Sequence, residues 1–320
     1  MNALISGAGG FVGGHLLAYL HQHAPTVRLH GTLFSEAENR PALAALGCQL
    51  WTLDLRDAEA VRDLLAQVRP THIYHLAGQA FVPRSFAAPW ETLEINLRGT
   101  LNLLEAVRAL NLDARILVVS SAEIYGAADP ESLPLTEHAP FIPSSPYSVS
   151  KIAQDMLAWQ YARAHKLHVV RARPFNHIGT GQSPNFAVPD WASQIAAAEL
   201  GQREPIVSVG NLAAARDFTD VRDVVRAYAL ALERGESGEV YNVCSGAPQT
   251  MQHILETLIS LSSTPITVRV DPERVRPIEI PVLYGSYARL QAHTGWQPQI
   301  SLAQSLSDVL SEWRTRLRSA

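Results

Sequence analysis

Tyr147 and Lys151 stand four residues apart in the run Tyr147-Ser148-Val149-Ser150-Lys151. That spacing places both side chains on one face of a helix, one turn apart. A lysine ammonium held near a phenol favours the phenolate and lowers the tyrosine pKa from about 10. Such a tyrosine exchanges a proton with a substrate hydroxyl or carbonyl near neutral pH. The same pair on a solvated helix face would be inert, so its meaning depends on what the rest of the chain brings beside it.

A helix must open just before the pair. The proline-broken stretch from Pro140 to Pro146 ends in Ser145-Pro146, which reads as an N-cap with proline at the first helical position. At the start of the chain, Ala3-Leu4-Ile5-Ser6 is a short apolar run that ends in Gly7-Ala8-Gly9-Gly10-Phe11-Val12-Gly13. Leu16, Leu17 and Leu20 then fall at helical spacing, so strand, glycine turn and helix form the opening of a dinucleotide-binding unit. Gly7 permits the tight turn, Gly10 lets backbone N–H groups approach a pyrophosphate, and Gly13 allows helix and strand to pack closely. Phe11 and Val12, on the same turn, join the expected cofactor-binding set. The helix N-terminus offers donors and a positive dipole end to the phosphates.

Val27 to Phe34 reads as the second strand, where an acidic residue usually marks NAD by binding the ribose 2′-hydroxyl. Thr32-Leu33-Phe34-Ser35 holds no carboxylate, with Glu36 slightly beyond and Arg40 further on. This tilts the expectation towards NADP(H) over NAD(H). A third strand, Gln49 to Leu53, ends at Asp54-Leu55, placed either to reach an adenine edge or to cap the helix near Asp57. A fourth runs from Thr71 into Leu76-Ala77-Gly78, small residues past which a cofactor backbone can run. Pro89 to Leu110 reads as one long helix with polar Asn96 inside it, also assigned to the cofactor. Ile116 to Val119 is apolar throughout, as a strand covered on both faces must be, and delivers Ser120-Ser121-Ala122-Glu123. This rhythm predicts an α/β fold, a doubly wound parallel sheet of Rossmann type with its site at the strand carboxyl ends.

From Pro174 onwards the pattern turns irregular. Residues 1–172 read as the dinucleotide-binding domain, with a strand near 239–243 returning to it. Residues 173–320 read mainly as a smaller, interleaved substrate domain. Thr250 and Ser301 read as caps of late helices, the second through Ser301-x-x-Gln304.

Composition narrows the function. Hydrophobic content of 47% and charged content of 18% are ordinary globular values, and a net charge of −4 leaves no basic footprint for nucleic acid or an anionic membrane. No stretch reaches the roughly 18 apolar residues of a membrane span, and the first strand begins almost at Met1, without a leader. Cys48 and Cys244 form no motif, which points to a reduced, cytoplasmic protein. His72/His75 and His165/His168 are isolated pairs, and no metal site is expected.

Taken in order, Gly7-x-x-Gly10-x-x-Gly13, Ser121 and Tyr147-x-x-x-Lys151 resemble an extended short-chain dehydrogenase/reductase over essentially the whole chain. The resemblance implies Tyr147 as acid/base, Lys151 as the residue that tunes it and binds the nicotinamide ribose, and Ser121 as the residue orienting the substrate oxygen. Arg173-Pro174-Phe175-Asn176, Arg216-Asp217-Phe218 and Arg276-Pro277-x-Glu279 resemble nucleotide-sugar-binding elements. Arg216 and Arg276 would clamp a diphosphate, Asn176 would bond it or the sugar, and Glu279 would suit ribose hydroxyls. Phe175 to Gln182, Val209 to Leu212, Arg216 to Asp223 and Tyr241 to Gly246 look like the GDP-4-keto-6-deoxy-mannose reductases and GDP-mannose 4,6-dehydratases.

The leading expectation is therefore NAD(P)H-dependent reduction of the C4 ketone of GDP-4-keto-6-deoxy-D-mannose to GDP-D-rhamnose. The dTDP-glucose dehydratases place Thr-Asp-Glu where this chain has Ser121-Ala122-Glu123, so their acid is missing. The GDP-mannose dehydratases manage with Thr and Glu, so Glu123 as a base keeps that reaction open; otherwise it is structural or touches the sugar. A nucleotide-sugar epimerase is a third option. The helices at roughly Pro89–Leu110 and Pro146–Ala164 resemble those of a family homodimer. Leu101, Leu104, Met156 and Trp159 fit either that interface or the monomer's own core.

Overall fold

The structure, a computed structural model, describes residues 1–38, 41–274 and 280–319. Arg40, Arg276 and Glu279 lie outside the described residues. From the N-terminus strand and helix alternate: β1 (Asn2–Ser6), α1 (Phe11–His23), β2 (Arg28–Leu33), α2 (Pro41–Ala45), β3 (Gln49–Thr52), α3 (Ala58–Val68) and β4 (His72–His75). There follow α4 (Val82–Ala87), α5 (Pro89–Leu93), α6 (Gly99–Ala109), β5 (Arg115–Val119), α7 (Pro146–His165) and β6 (His168–Pro174). The second half adds β7 (Asn176–Ile178), α8 (Ala187–Glu199), β8 (Ile206–Val209), β9 (Ala215–Asp220), α9 (Val221–Arg234) and β10 (Val240–Val243). It closes with β11 (Pro248–Thr250), α10 (Met251–Ser260), β12 (Thr267–Val270), β13 (Val282–Leu283), α11 (Ala288–Thr294) and α12 (Leu302–Arg318).

Seven strands form one parallel sheet in the order β10-β6-β5-β4-β1-β2-β3. Strand direction through the chain reverses between β1 and β4, and a crevice opens at the carboxyl ends of strands at such a switch point. Leu16, Leu17 and Leu20 of α1 pack with Val224, Tyr228 and Leu232 of α9 and Leu290 of α11 on one face. Leu64 and Leu65 of α3, Leu103, Leu104 and Val107 of α6, and Ala158 and Tyr161 of α7 cover the other. Both faces are therefore dry, which is why Ile116, Leu117 and Val118 are apolar in succession. The second half thus returns β10, α9 and α11 to the sheet. Its remainder packs α8, α10 and α12 around Trp191, Ile195, Leu258 and Leu310.

The capping signals behave as chemistry dictates. Ser145 Oγ accepts from Ser148 N while Ser148 Oγ accepts from Ser145 N, with Pro146 at the first position, so α7 starts on a closed capping box. Ser301 Oγ accepts from Gln304 N, but the Gln304 amide turns to Asp308, leaving that box half closed. The expected helix from Pro89 to Leu110 is not uniform: Glu94–Arg98 is a π turn between α5 and α6. Asn96, wholly buried inside it, bonds across to other segments instead of facing solvent. Leu104 belongs to the monomer core, whereas Leu101, Met156 and Trp159 are exposed. No helix among the described residues is long and apolar enough to cross a membrane. Nor do three metal-ligating side chains come together among them.

Candidate active site

The turn after β1 is built for close approach. Gly7 has φ +74°, and a Cβ there would lie 3.0 Å from Ala77 Cα; a Cβ on Gly13 would strike the Gly7 carbonyl oxygen at 2.2 Å. Gly10 N donates to Gly7 O at 3.1 Å, closing the turn, and Gly10 caps α1 with no side-chain oxygen. The first-turn N–H groups of α1 are thus presented on bare backbone at the positive end of a helix, a cradle that fits a pyrophosphate. Phe11 stacks on His177 with ring centroids 6.1 Å apart and planes at 10°, while His15 Nε2 lies 2.8 Å from Thr180 O. The sequence had placed Phe11 on the cofactor turn without this partner. Val12 packs against the α1-side core.

Ser121, Tyr147 and Lys151 meet at the carboxyl end of β5. Each is more than nine-tenths buried. The Ser121 and Tyr147 hydroxyls share a hydrogen bond, which opposes but does not overcome burial, and the Tyr147 phenol is pushed up to about 12. Glu123, half-buried, adds its negative charge in the same upward sense. Burial pushes Lys151 the other way, down to about 7, against the pull of Asp155. The Lys151 ammonium donates to Val119 O at 2.8 Å and Gln154 Oε1 at 2.7 Å. It is anchored on the strand end and its own helix rather than aimed at the phenol, so the lowered tyrosine pKa expected from the bare pair does not arise. Lysine has three donors, which leaves one for the crevice. Ser120 Oγ donates to Lys151 O at 3.1 Å and fastens α7 to the same strand end.

Beyond β4, Leu76 and Ala77 are half-buried and Gly78 is exposed beside the lysine: a Cβ on Gly78 would lie 3.8 Å from Lys151 Nζ. Asn96 accepts from Gln79 N at 2.7 Å and donates to Gln79 O and Ser150 Oγ, so its whole amide clamps the Gly78–Gln79 backbone to α7. It reaches a bound cofactor through that backbone. Asp54 makes a bidentate pair with Arg56 and does not cap α3, a role that Asp57 takes by accepting from Glu59 N and Ala60 N. Leu55 O is held by Asn102. At the end of β2, Glu38 folds back to accept from Phe34 N at 3.0 Å, and Glu36 accepts from Thr52 Oγ1. Both carboxylates are thereby engaged by the protein itself.

The opposite wall comes from the second half. Asn176 opens β7, half-buried, in register with Phe218 of β9. Arg216, also half-buried on β9, donates from Nη1 to Ala215 O. The motif from Arg216 to Asp223, read from the sequence as sugar-binding, holds three buried aspartates that bind other parts of the chain. Asp217 accepts from Ser245 N and Oγ, Gly246 N and Gly285 N. Asp220 caps α9 through Arg222 N and accepts from Ser305 Oγ of α12. Asp223 accepts from Gln299 N and Ile300 N. Their sequence signal was an acid at every third position, which alone does not tell a ligand contact from a structural one.

Comparison with known proteins gives a consistent result. A sequence model of the GDP-mannose 4,6 dehydratase family matches residues 4–309. The chain is 39% identical over 315 residues to the GDP-6-deoxy-D-mannose reductase of Pseudomonas aeruginosa, covering 98% of this chain and 97% of that protein. It is 28% identical over 277 residues to the human GDP-mannose 4,6 dehydratase, covering 80% of this chain and 74% of the other. Among solved structures, RMD from Pseudomonas aeruginosa complexed with NADPH superposes with a TM-score of 0.86 at 37% identity, over 98% of this chain and 99% of that one. Thermus thermophilus UDP-glucose 4-epimerase in complex with NAD gives 0.85 at 28% identity, over 98% and 99%.

Proposed function

We propose, because this chain belongs to the GDP-mannose 4,6-dehydratase family, that it reduces the C4 ketone of GDP-4-keto-6-deoxy-D-mannose to GDP-D-rhamnose. A nicotinamide cofactor, when bound, supplies the hydride to C4. The chain's own residues supply the rest. Ser121 and Tyr147, already bonded to each other, present two hydroxyls to the ketone oxygen. A phenol whose pKa stands near 12 is protonated at neutral pH, the state a proton donor needs, and Tyr147 gives that proton to O4. The tyrosinate left behind is stabilised by the Lys151 ammonium one turn away. Gly7, Gly10, Phe11, Val12 and Gly13 cradle the pyrophosphate, with Asp54, Leu55 and Leu76 to Gly78 along the rest of the cofactor. Asn176 and Arg216, with Arg276 and Glu279, take the nucleotide sugar. NADP(H) is favoured over NAD(H): the relative of known structure was solved with NADPH, and Glu36 and Glu38 are spent on Thr52 and Phe34.

The observation that carries the reduction is Ala122, buried where a dehydratase of the dTDP-glucose kind keeps an acid. The test is a panel of nucleotide sugars. GDP-4-keto-6-deoxy-D-mannose should oxidise NADPH or NADH stoichiometrically, and no cofactor consumption with that sugar would end the proposal. One observation favours a second reaction: Glu123 stands close enough to Tyr147 to raise its pKa, as a C5 base would. Loss of water from GDP-mannose with no net cofactor change would establish the 4,6-dehydratase instead.

Residues 1–172, with β10, carry the cofactor in this scheme, and residues 173–320 mainly carry the sugar. Helices α4 to α7 together expose Phe86, Trp90, Leu101, Val149, Met156 and Trp159, an apolar face suited to a homodimer. Light scattering should give twice the chain mass, and Trp159→Glu should halve it; a monomeric parent at micromolar concentration would refute the dimer. Two buried free thiols, Cys48 and Cys244, suit a cytoplasmic location.

A further inference from the structure

Lys151 is joined to the floor of the crevice by buried side chains that no step above uses. Gln154 Oε1 takes one lysine proton at 2.7 Å, and Gln154 Nε2 donates to Thr100 Oγ1 at 2.7 Å. The Thr100 hydroxyl donates to Asn96 O at 2.8 Å, and His75 Nε2 lies 2.8 Å from the same hydroxyl. His75 Nδ1 lies 2.8 Å from Ser6 Oγ, which accepts from Leu76 N at 3.1 Å and Ala77 N at 3.2 Å. Ser6, His75, Thr100 and Gln154 are all buried, three of them completely.

The direction of every bond follows from donor supply. An ammonium only donates, so Gln154 must turn its oxygen to Lys151 and its amide to Thr100. Thr100 has one hydrogen, spent on Asn96 O, so His75 must donate from Nε2 and accept at Nδ1. Ser6 must then give its hydrogen to Nδ1. This pattern needs a neutral His75, and burial together with the Lys151 charge pushes His75 down to about 3. Each group has one consistent role, and the Lys151 end and the Leu76–Ala77 end are fixed by the same network.

We propose that Gln154 and Thr100 are positioning residues for Lys151, holding its ammonium at the Val119 carbonyl and coupling its place to the Leu76–Ala77 turn along which the cofactor lies. The inference rests on the dinucleotide half of the proposed function and not on the identity of the sugar. The charged and titratable groups facing the ammonium are Asp155 and Tyr147 of α7 and neutral His75 of β4; β5 and α6 present only Val119 O and Thr100. Gln154 is therefore the uncharged acceptor through which the lysine can be retuned without touching the tyrosine.

The test uses the full chain with Gln154→Leu, Gln154→Glu, Thr100→Val and Thr100→Ser. NADPH affinity is read from cofactor fluorescence, and kcat and KM from turnover of GDP-4-keto-6-deoxy-D-mannose across pH. Gln154→Leu should weaken NADPH binding about tenfold, the scale of one lost bond to a charged group, and lower kcat more than it raises the sugar KM. The limb on which activity falls as pH rises should move to lower pH in Gln154→Leu and to higher pH in Gln154→Glu. Thr100→Val should follow Gln154→Leu, and Thr100→Ser should restore the parent behaviour. If Gln154→Leu does not fold, the two Thr100 variants carry the same comparison. A pH limb at the parent position in both Gln154 variants overturns the proposal, as does Thr100→Ser as damaging as Thr100→Val. NADPH binding needs no sugar: a parent that binds NADPH but turns over nothing refutes the sugar assignment and leaves the binding comparison intact.

Discussion

The two walls of the crevice bury polar groups to a similar degree and to opposite effect. On the sheet-edge wall, Lys151 and Tyr147 are held where burial disfavours their charged forms, at about 7 and about 12. On the far wall, Asp217, Asp220 and Asp223 are as deeply buried, yet each gathers donors from distant segments: the 245–246 and 285 turns, α12, and the 299–300 stretch. A buried polar group with incomplete protein partners costs stability and is available for chemistry, whereas one fully supplied with donors is architecture. The difference separates what reacts from what holds the shape.

Four substitutions would break or sharpen that contrast, the largest effect first. Tyr147→Phe removes the proton donor and should lower kcat by about 10²- to 10⁴-fold, the usual contribution of a positioned acid, with the melting temperature and NADPH affinity close to the parent. A tenfold loss or less would mean the proton comes from elsewhere. Asp217→Ala strands the Ser245 and Gly246 donors and should cost about 2–3 kcal/mol of stability in urea melts, the scale of unsatisfied buried groups. It should also raise the sugar KM while sparing NADPH affinity. An unchanged melt would show that the far wall is not organised by its aspartates.

Lys151→Met tests the cost on the reactive wall. The folded pKa of Lys151, about 7, lies below the unfolded value of about 10.4. The unfolded chain therefore binds more protons between those values, and the penalty of burying the ammonium, full below about pH 7, fades as pH rises. The melting temperature of Lys151→Met relative to the parent should be higher at about pH 6 than at about pH 9, although the variant loses activity. The reverse order would show that Lys151 stabilises the fold. Glu123→Gln is the smallest change: under ketone reduction kcat should stay within about threefold, whereas loss of a general base would cost about 100-fold or more.

The sheet-edge wall was legible in the sequence because each of its signals is local. Gly7 and Gly13 are required by contacts inside their own turn, Ser145-Pro146 caps its own helix, and Tyr147 and Lys151 share a helical face. The far wall was less legible because its logic is non-local. Asp217 reads as one more residue of a sugar-binding motif until the turns at 245 and 285 are seen folded onto it. The Phe11–His177 stack joins residues far apart in sequence, and Gln154 looks like any polar residue of a long helix until Thr100 and Lys151 flank it. Asp54 resolved differently from both options considered, since Arg56 supplied a partner two residues away that neither had used.

The π turn at Glu94–Arg98 also bears on how this protein tolerates length changes. A π turn carries one residue more than the α-helical ladder needs, so a single deletion within it would regularise the helix. Each residue rotates a helix by about 100°, and such a deletion would swing all of α6 around its axis relative to α5. Thr100 would leave His75 and Gln154, and Leu103, Leu104 and Val107 would leave the core together. The surplus residue thus acts as a register key: the helix can be made more regular by one codon, and would no longer fit the molecule.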